Sequence, residues 1–216
     1  MNNYLISICI TSYKRIKELE RCIKSVDSKY TDKVEIVVSE DKSPQREQIQ
    51  AMVEKIATTS PYHINFNTNV ENLGYDRNLK KLMTLANGEY VFYMSDDDVI
   101  YPGVIDKLIQ CIETLKEKPA LIFSPFWYSP FRDLKRKYNE SHAIPAGKES
   151  CIRYAYDAIL FSGLIFRRDT IINLDAEKFK NLNYFQVYMF LTVMYKYGAY
   201  YFDELMIDSV SDGENA

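Results

Sequence analysis

Hydrophobic and polar residues follow two alternating patterns along the first 125 residues of the chain. Unbroken apolar runs, as at residues 5–10 and 34–38, are typical of strands that are buried on both faces. Between such runs, apolar residues recur every three or four positions, which predicts helices. The stretches with helical spacing are 16–26, 49–56, 75–86 and 103–115, and the further strands are 63–66, 90–94 and 120–123. This alternation predicts an α/β fold with a mostly parallel central sheet and helices on both faces.

The alternation weakens after residue 125, where three prolines punctuate a stretch that we interpret mainly as loop. The elements predicted beyond this stretch are a strand, an amphipathic helix and a strand, at residues 160–166, 183–197 and 199–202. A chain of 216 residues is expected to form a single domain. We expect its first half, about residues 1–125, to bind a nucleotide and its loop-rich second half, about 126–216, to be the more variable part.

Composition and charge argue against several classes of function. The formal net charge of −3 gives no overall attraction to nucleic acid. Four widely spaced cysteines without a CxxC pair make a zinc site or a disulfide framework unlikely to be the organising feature. The N-terminal apolar run lacks a preceding basic region and is too short for a signal peptide or a membrane span, so we expect a cytoplasmic protein. The basic stretch at residues 132–137 is interpreted as a solvated loop, with a weak membrane-surface contact as the alternative.

Three consecutive carboxylates, Asp96, Asp97 and Asp98, directly follow a hydrophobic strand. Like charges this close repel one another, and a cation or a strong hydrogen-bond network is needed to compensate them. Mg²⁺ and Mn²⁺ prefer oxygen ligands and commonly use one or two carboxylates together with substrate phosphates. Asp96 and Asp98 are therefore candidates for holding one such ion against a diphosphate. The alternative is a solvated acidic turn that caps the next helix.

Two other strand ends carry polar residues. Glu40 or Asp41 can accept a hydrogen bond from a base or a ribose hydroxyl, although a helix cap is the better explanation of an acid there when the segment is taken alone. After the next strand, Gly74 precedes a helix and Arg77 is placed to reach a phosphate, or the segment is a simple loop-to-helix junction. The chain contains neither GxGxxG nor GxxxxGK[ST], so neither a Rossmann cofactor site nor a P-loop is supported.

Taken together and in this order, these segments resemble the family-two glycosyltransferases of the GT-A fold over residues 6–208. Residues 7–15 resemble the family's opening strand and P-x-Y-N-R turn, and residues 40–43 its D-D-x-S segment. Residues 72–78 resemble its N-x-G-x-x-x-x-R/N stretch, and residues 95–98 fall on its D-x-D metal motif. Residues 161–168 resemble a strand near the acceptor side of bacterial surface-polysaccharide transferases. Abequosyl-type and O-antigen sugar transferases show the most similar pattern.

The resemblance implies transfer of a sugar, with inversion, from a nucleotide-diphosphate sugar to a glycan or lipid-linked acceptor in cell-surface polysaccharide biosynthesis. A UDP-sugar is the first expectation for the donor, and Mn²⁺ or Mg²⁺, held by Asp96 and Asp98, is the implied cofactor. The nucleotide-sugar-binding residues that it implies are Thr11, Tyr13, Arg15, Glu40, Asp41, Asn72, Gly74, Arg77, Asp96 and Asp97. It also implies a place in the cytoplasm, at the inner face of the plasma membrane if the protein associates with the membrane peripherally.

The chain departs from the family at the position of the general base. Many inverting members have a Glu-Asp pair about a dozen residues before a glycine, and counting back from Gly198 leads here to Gln186 and Val187. An amide cannot accept the proton that a general base must take. Asp157, Asp203 or another acid would then serve as the base, or the chain is inactive on ordinary hydroxyl acceptors.

Two alternatives to a transferase remain open. The first is that the chain is a non-catalytic module of degenerate transferase fold that only binds nucleotide or glycan. A nucleotidyltransferase also pairs an α/β sheet with acidic metal ligands, but residues 11–15 lack the glycine-rich phosphate loop typical of that class. We also expect the natural chain to continue beyond residue 216, because a strand-like segment is followed at once by the end of the sequence.

Overall fold

A computed structural model describes residues 4–128, 131 and 133–210. The expected continuation beyond residue 216 and the acidic tail at 211–216 lie outside these residues. The helices are α1 (Ile16–Lys24), α2 (Arg46–Ala57), α3 (Gly74–Leu85), α4 (Val104–Thr114), α5 (Lys148–Tyr154), α6 (Arg168–Ile171) and α7 (Phe185–Tyr197). The strands are β1 (Ile6–Ser12), β2 (Val34–Glu40), β3 (His63–Thr68), β4 (Tyr90–Met94), β5 (Val99–Ile100), β6 (Leu121–Phe123), β7 (Phe126–Tyr128), β8 (Asp133–Lys135), β9 (His142–Ile144), β10 (Ile165–Arg167), β11 (Ala199–Tyr201) and β12 (Ile207–Ser209).

The strands form a large central sheet and a small one. The large sheet has the order β3-β2-β1-β4-β10-β6-β11-β9, and the small sheet has the order β5-β12-β7-β8. The first four strands of the large sheet are parallel to one another, as the alternating pattern predicts. Beyond β4 the sheet is mixed, because β10 runs antiparallel to both β4 and β6, β11 is parallel to β6, and β9 is antiparallel to β11.

Alternating side chains of the central strands enter two hydrophobic clusters, one on each face of the sheet. Ile6, Ile8 and Ile10 of β1 pack with apolar residues of α1, α2 and α4. Cys9 of the same strand belongs to the opposite cluster, which includes α3 and α7. Successive side chains of a strand point to opposite faces, so a strand with a helix layer on each side must be apolar throughout. The fold is therefore three-layered, with helices on both faces of the central sheet.

The second half differs from the sequence prediction in three places. The stretch interpreted mainly as loop contains β7, β8, β9 and α5. The strand predicted at 160–166 is confined to Ile165–Arg167, because the chain turns at Gly163, which has a φ of 79°, and the amide of Leu164 donates to the carbonyl of Phe161. The interpretation of residues 132–137 as a solvated basic loop is wrong for Arg136, whose guanidinium is buried and donates to main-chain carbonyls. Arg132 lies outside the described residues.

The parallel register brings three strand ends to one edge of the sheet. Ser12 at the end of β1 pairs with Glu40 at the end of β2, and Ile10 pairs with Met94 at the end of β4. The loops that follow these strands therefore leave the sheet side by side. In open α/β sheets, ligands bind at this carboxyl edge. Among the described residues, no helix combines the length and apolar character that crossing a membrane requires.

Candidate active site

The loops at the carboxyl edge enclose a cleft with a volume of about 520 Å³. The residues that line it are Thr11, Ser12, Tyr13, Lys14, Arg15, Asp41, Asn72, Gly74, Tyr75, Asn78, Ser95, Asp96 and Phe161. All but Phe161 come from the first half of the chain. The structure therefore brings together four segments, after β1, β2, β3 and β4, that are widely separated in the sequence.

The turn after β1 faces the acidic turn after β4. Lys14 adopts a left-handed backbone conformation with a φ of 68°, which bends the chain immediately after Tyr13. The amide of Tyr13 then donates to Asp96 Oδ2 at 3.2 Å. Arg15 Nη1 contacts Asp96 Oδ1 at 3.2 Å and Asp97 Oδ2 at 2.5 Å. A single guanidinium thus partly neutralises two of the three adjacent carboxylates.

Asp96 and Asp98 are almost fully buried. Burial raises the pKa of Asp96 to about 7, against the opposing effects of Arg15 and the Tyr13 amide. Burial likewise raises the pKa of Asp98 to about 7, although Ser162 and Ser209 donate hydrogen bonds to its carboxylate. The charged form of both groups is disfavoured at neutral pH unless a further positive charge lies beside them.

The carboxylates of this turn fit a divalent cation. Asp98 Oδ2 is buried and has no hydrogen-bond partner among the described residues, so it is available to a cation. The part of the chain that the structure describes holds no cluster of three or more His, Cys, Asp or Glu side chains suited to a metal. A site with one or two carboxylates is typical of ions that complete their coordination with water and substrate phosphates.

Asp41, which follows β2, holds one side of the cleft in place. Asp41 Oδ1 accepts from the amide of Leu73 at 2.7 Å, and Asp41 Oδ2 accepts from the amide of Gly74 at 2.9 Å. The amide side chain of Asn69 also donates to Asp41 at 3.0 Å. Asp41 therefore fixes the loop that carries Asn72 and Gly74 while it lines the cleft itself.

Three of the residues expected to bind the nucleotide sugar do not line the cleft: Asp97 pairs with Arg15, and Glu40 and Arg77 lie behind the cleft wall. Glu40 is fully buried, and its carboxylate accepts from the amides of Lys42 and Ser43, so it stabilises the turn after β2. The guanidinium of Arg77 donates back to the carbonyl of Leu73 at 2.7 Å and lies 3.7 Å from Glu71. Both residues are one layer removed from the cleft because local backbone groups already occupy their polar atoms.

The candidates for the general base are also outside the cleft. Asp157 accepts a hydrogen bond from the hydroxyl of Tyr138 at 2.6 Å, and its pKa is raised mainly by burial. Asp203 accepts from the hydroxyl of Tyr201 at 2.9 Å. Gln186 is buried near the start of α7, where Nε2 donates to the carbonyl of Ile159 at 3.2 Å. Gln186 Oε1 has no partner among the described residues.

Some cleft residues were not among the candidates. Ser12, Lys14, Tyr75, Asn78 and Ser95 lie inside the motif segments, so their neighbours in the sequence signalled them. The signal for Phe161 was weaker, because it opens the segment 161–168 that resembles an acceptor-side strand and it reaches the cleft through the turn before β10. Its ring packs edge-on against Tyr75, with 5.3 Å between ring centroids, and this contact joins the second half of the chain to the cleft wall.

A comparison with protein families agrees with this geometry. Residues 7–182 match the family model described as "Glycosyl transferase family 2". This chain belongs to that family. The matched range contains all four cleft-forming segments and Phe161, and it ends just before α7.

Family-two relatives include transferases with stated activities. Abequosyltransferase RfbV of Salmonella typhimurium is 32% identical over 98 residues, which are 44% of this chain and 29% of the relative. A Campylobacter jejuni protein named GalNAc(5)-diNAcBac-PP-undecaprenol beta-1,3-glucosyltransferase is 27% identical over 106 residues, which are 49% of this chain and 33% of the relative. The matched segments thus span about a third of the length of these relatives.

Solved structures confirm the predicted GT-A fold. Residues 1–349 of Staphylococcus aureus TarS superpose with a TM-score of 0.75 at 16% identity, covering 95% of this chain and 60% of that one. The same fragment was solved with UDP-GlcNAc and gives a TM-score of 0.71 at 17% identity, covering 97% and 60% of the two chains. Mannosyltransferase PcManGT of Pyrobaculum calidifontis, in complex with GDP-Man and Mn²⁺, gives a TM-score of 0.65 at 13% identity, covering 98% and 59%.

Proposed function

We propose that this chain transfers a sugar, with inversion and with the help of a divalent metal, from a nucleotide-diphosphate sugar to a glycan or lipid-linked acceptor in cell-surface polysaccharide biosynthesis. One observation carries this proposal. Three parallel strand ends deliver Tyr13 with Arg15, Asp41, and the acidic turn to a single cleft in a family-two glycosyltransferase fold. Family membership also argues against the nucleotidyltransferase alternative.

The proposed donor site occupies this cleft. Tyr13 is 41% exposed and has the Lys14 ammonium 4.9 Å from its ring centroid, so a nucleobase would stack on the ring face away from Lys14. Arg15 is placed to exchange its bonds to Asp96 and Asp97 for bonds to the donor's diphosphate, because guanidinium groups bind phosphates in a bidentate manner. Thr11, Asn72 and Gly74 would line the same donor. A UDP-sugar is the first candidate, since the similar TarS fragment was solved with UDP and UDP-GlcNAc.

We propose that Asp98, through its unpartnered Oδ2, and Asp96 hold Mn²⁺ or Mg²⁺ beside the donor's diphosphate. When bound, such an ion neutralises the charge that develops on the leaving nucleotide. Other groups of the protein orient the two carboxylates. Ser162 and Ser209 orient the Asp98 carboxylate, and the Tyr13 amide orients that of Asp96.

The acceptor is proposed from the named relatives. PP-undecaprenol in the name of the Campylobacter protein is lipid-linked, and the Salmonella protein transfers abequose. A lipid-linked acceptor would bring this chain to the inner face of the plasma membrane from the cytoplasm. Cosedimentation with anionic liposomes tests this peripheral association, and absence of the protein from the vesicle pellet would contradict it.

A second candidate function has support from the position of the acids. Two carboxylates line the cleft among the described residues. Asp41 accepts hydrogen bonds from the loop after β3, and Asp96 is bound by Arg15 and by the amide of Tyr13. Neither Asp157 nor Gln186 reaches the cleft. A chain without a free base there would bind a nucleotide sugar without transferring it.

Calorimetry and a turnover assay separate the two candidates. UDP binding would be titrated with Mn²⁺ and with EDTA, and UDP release from UDP-sugars would be followed with and without a cell-envelope glycan acceptor. We expect saturable, Mn²⁺-strengthened binding, and release that the acceptor accelerates. Binding without accelerated release would identify the non-catalytic module, and lack of saturable binding to any nucleotide would contradict a donor site in this cleft.

A further inference from the structure

Arg136 is buried, and its guanidinium forms hydrogen bonds with the loop between α5 and β10. Its Nε donates to the carbonyl of Asp157 at 2.8 Å, and its Nη1 donates to that of Ser162 at 3.4 Å. Its Nη2 donates to the carbonyl of Leu160. The guanidinium also lies over the ring of Phe126, with the Cζ atom 4.9 Å from the ring centroid. One side chain thus ties three points of a six-residue segment to the small sheet.

The segment that Arg136 holds reaches both the cleft and the acidic turn. Phe161 lines the cleft. The next residue, Ser162, accepts from the amide of Ser95 at 2.9 Å through Oγ and donates to the carboxylate of Asp98. Ser162 thus links the segment that Arg136 holds to the acidic turn that carries Asp98.

An arginine is suited to this position for geometric reasons. Its planar guanidinium offers five N–H donors in fixed directions, whereas a lysine offers three donors around one nitrogen. Burial lowers the pKa of Arg136 only to about 10, so it stays charged at neutral pH. The carboxylate of nearby Asp157 accepts from Tyr138. Carbonyl oxygens and a ring face are thus the direct partners that hold this charge.

We propose that Arg136 is a positioning residue that sets the metal-binding carboxylate of Asp98 through Ser162. This proposal rests on the proposed metal-dependent transfer. It assigns the second half of the chain a part in forming the donor site, although twelve of the thirteen cleft residues belong to the first half.

The test compares Arg136→Lys and Ser162→Ala with the wild type and with Arg153→Lys. Arg153 is the matched control because it is an exposed arginine of the same half that also lies over an aromatic ring, Tyr154, at 5.4 Å. The free Mn²⁺ signal in electron paramagnetic resonance gives the dissociation constant for Mn²⁺ without any nucleotide. The thermal unfolding midpoint in EDTA reports whether each variant is folded.

We expect Arg136→Lys and Ser162→Ala each to weaken Mn²⁺ binding on the order of tenfold while the proteins stay folded in EDTA. The double variant should lose little more than either single one, because both act on Asp98 through one path. Arg153→Lys should bind Mn²⁺ as the wild type does. Ser162→Ala tests the same path should Arg136→Lys fail to fold.

The possible failures are distinguishable. Unchanged Mn²⁺ affinity in a folded Arg136→Lys variant overturns the positioning role alone, and so does full additivity of the two substitutions. Equal weakening in Arg153→Lys would assign the effect to general charge and would also overturn the role. A wild-type protein that shows no saturable Mn²⁺ binding, either alone or with UDP present, overturns the proposed metal site, and the role of Arg136 with it.

Discussion

The two halves of this chain contribute to the same cleft by different physical means. In the first half, β1 to β4 have five to seven residues and pair in parallel, and helices of nine to twelve residues cover them. In the described part of the second half, the strands are three residues long, and α7 is the one helix of comparable length. Long regular elements place their own loops at the carboxyl edge of the sheet. The short elements depend instead on contacts with residues far away in the sequence.

This difference indicates which contacts each half depends on. The acidic turn belongs to the first half, but the serines that hold Asp98 come from the second. Similarly, Tyr184 at the N-cap of α7 provides no side-chain hydrogen bond, and Asp76 of α3 accepts from the amides of Asn183 and Phe185 instead. The second half is thus joined to the first by these polar contacts as well as by a shared hydrophobic cluster and the pairing of β10 with β4. The following predictions compare the two halves.

The largest effect is expected at the acidic turn itself. Asp98→Asn keeps the size of the side chain but removes the charge of the unpartnered Oδ2. We expect Mn²⁺-dependent turnover of a nucleotide sugar to fall by at least about 100-fold, because a neutral amide is a poor ligand for a hard cation. UDP release measures this effect. Asp32→Asn, an exposed acid of the first half, serves as the control. Undiminished turnover in Asp98→Asn would remove the metal from the mechanism.

A pair of glycines with positive φ compares close packing in the two halves. An added Cβ at Gly198, before β11, would lie 2.3 Å from the carbonyl oxygen of Ile144. An added Cβ at Gly103, before α4, would meet no atom within 4 Å. We expect Gly198→Ala to lower the free energy of unfolding by about 3 kcal/mol or more, and Gly103→Ala by about 1 kcal/mol from backbone strain alone. Urea denaturation measures both. Equal losses would mean that packing at Gly198 is not the dominant cost.

The contact between the halves at Asp76 should have an intermediate effect. Asp76→Ala leaves the amides of Asn183 and Phe185 without their acceptor, and we expect a loss of about 1–2 kcal/mol in the free energy of unfolding. Hydrogen exchange should become faster at the start of α7. Asp175→Ala removes an exposed acid that accepts from the amide of Glu177, and it should cost less than about 0.5 kcal/mol. Unchanged exchange in Asp76→Ala would show that α7 begins independently of the first half.

The smallest effect is expected for Asp157, whose pKa is raised by burial. A raised pKa means that the folded state binds the proton more tightly than the unfolded state. Stability therefore decreases as pH rises from the ordinary aspartate range through the raised value. Asp157→Asn removes this dependence, and we expect it to raise the free energy of unfolding at pH 8 by less than about 1 kcal/mol after solvent screening.

Turnover of Asp157→Asn provides the second measurement on this residue. Since Asp157 lies outside the cleft, we expect the variant to retain UDP release within about threefold of the wild type. A loss comparable to that of Asp98→Asn would make Asp157 the general base after all. It would also mean that the second half moves into the cleft when the acceptor binds.

Much of the fold could be predicted because it depends on local patterns. The apolar runs of β1, β2 and β4 and the periodic spacing of α1 and α3 are visible without any partner segment. The second half was predicted less well. The turn at Gly163 shortens a predicted strand, since apolar residues at 160–164 pack around a turn as readily as along a strand. Short apolar runs carry no information about the partner that they pack against.

The sequence by itself determined that this chain is an α/β protein with parallel strands whose polar ends share one edge, and that an acidic turn lies there. Hydrophobic periodicity and the position of acids after strands are local properties, so they can be recognised from the sequence alone. The tertiary structure alone decided that Glu40 and Arg77 stand behind the cleft, that Phe161 enters it, and that Arg136 is buried. The burial of Arg136, for example, depends on its contact with Ser162, 26 residues away, and no local pattern encodes which distant groups will satisfy a polar side chain.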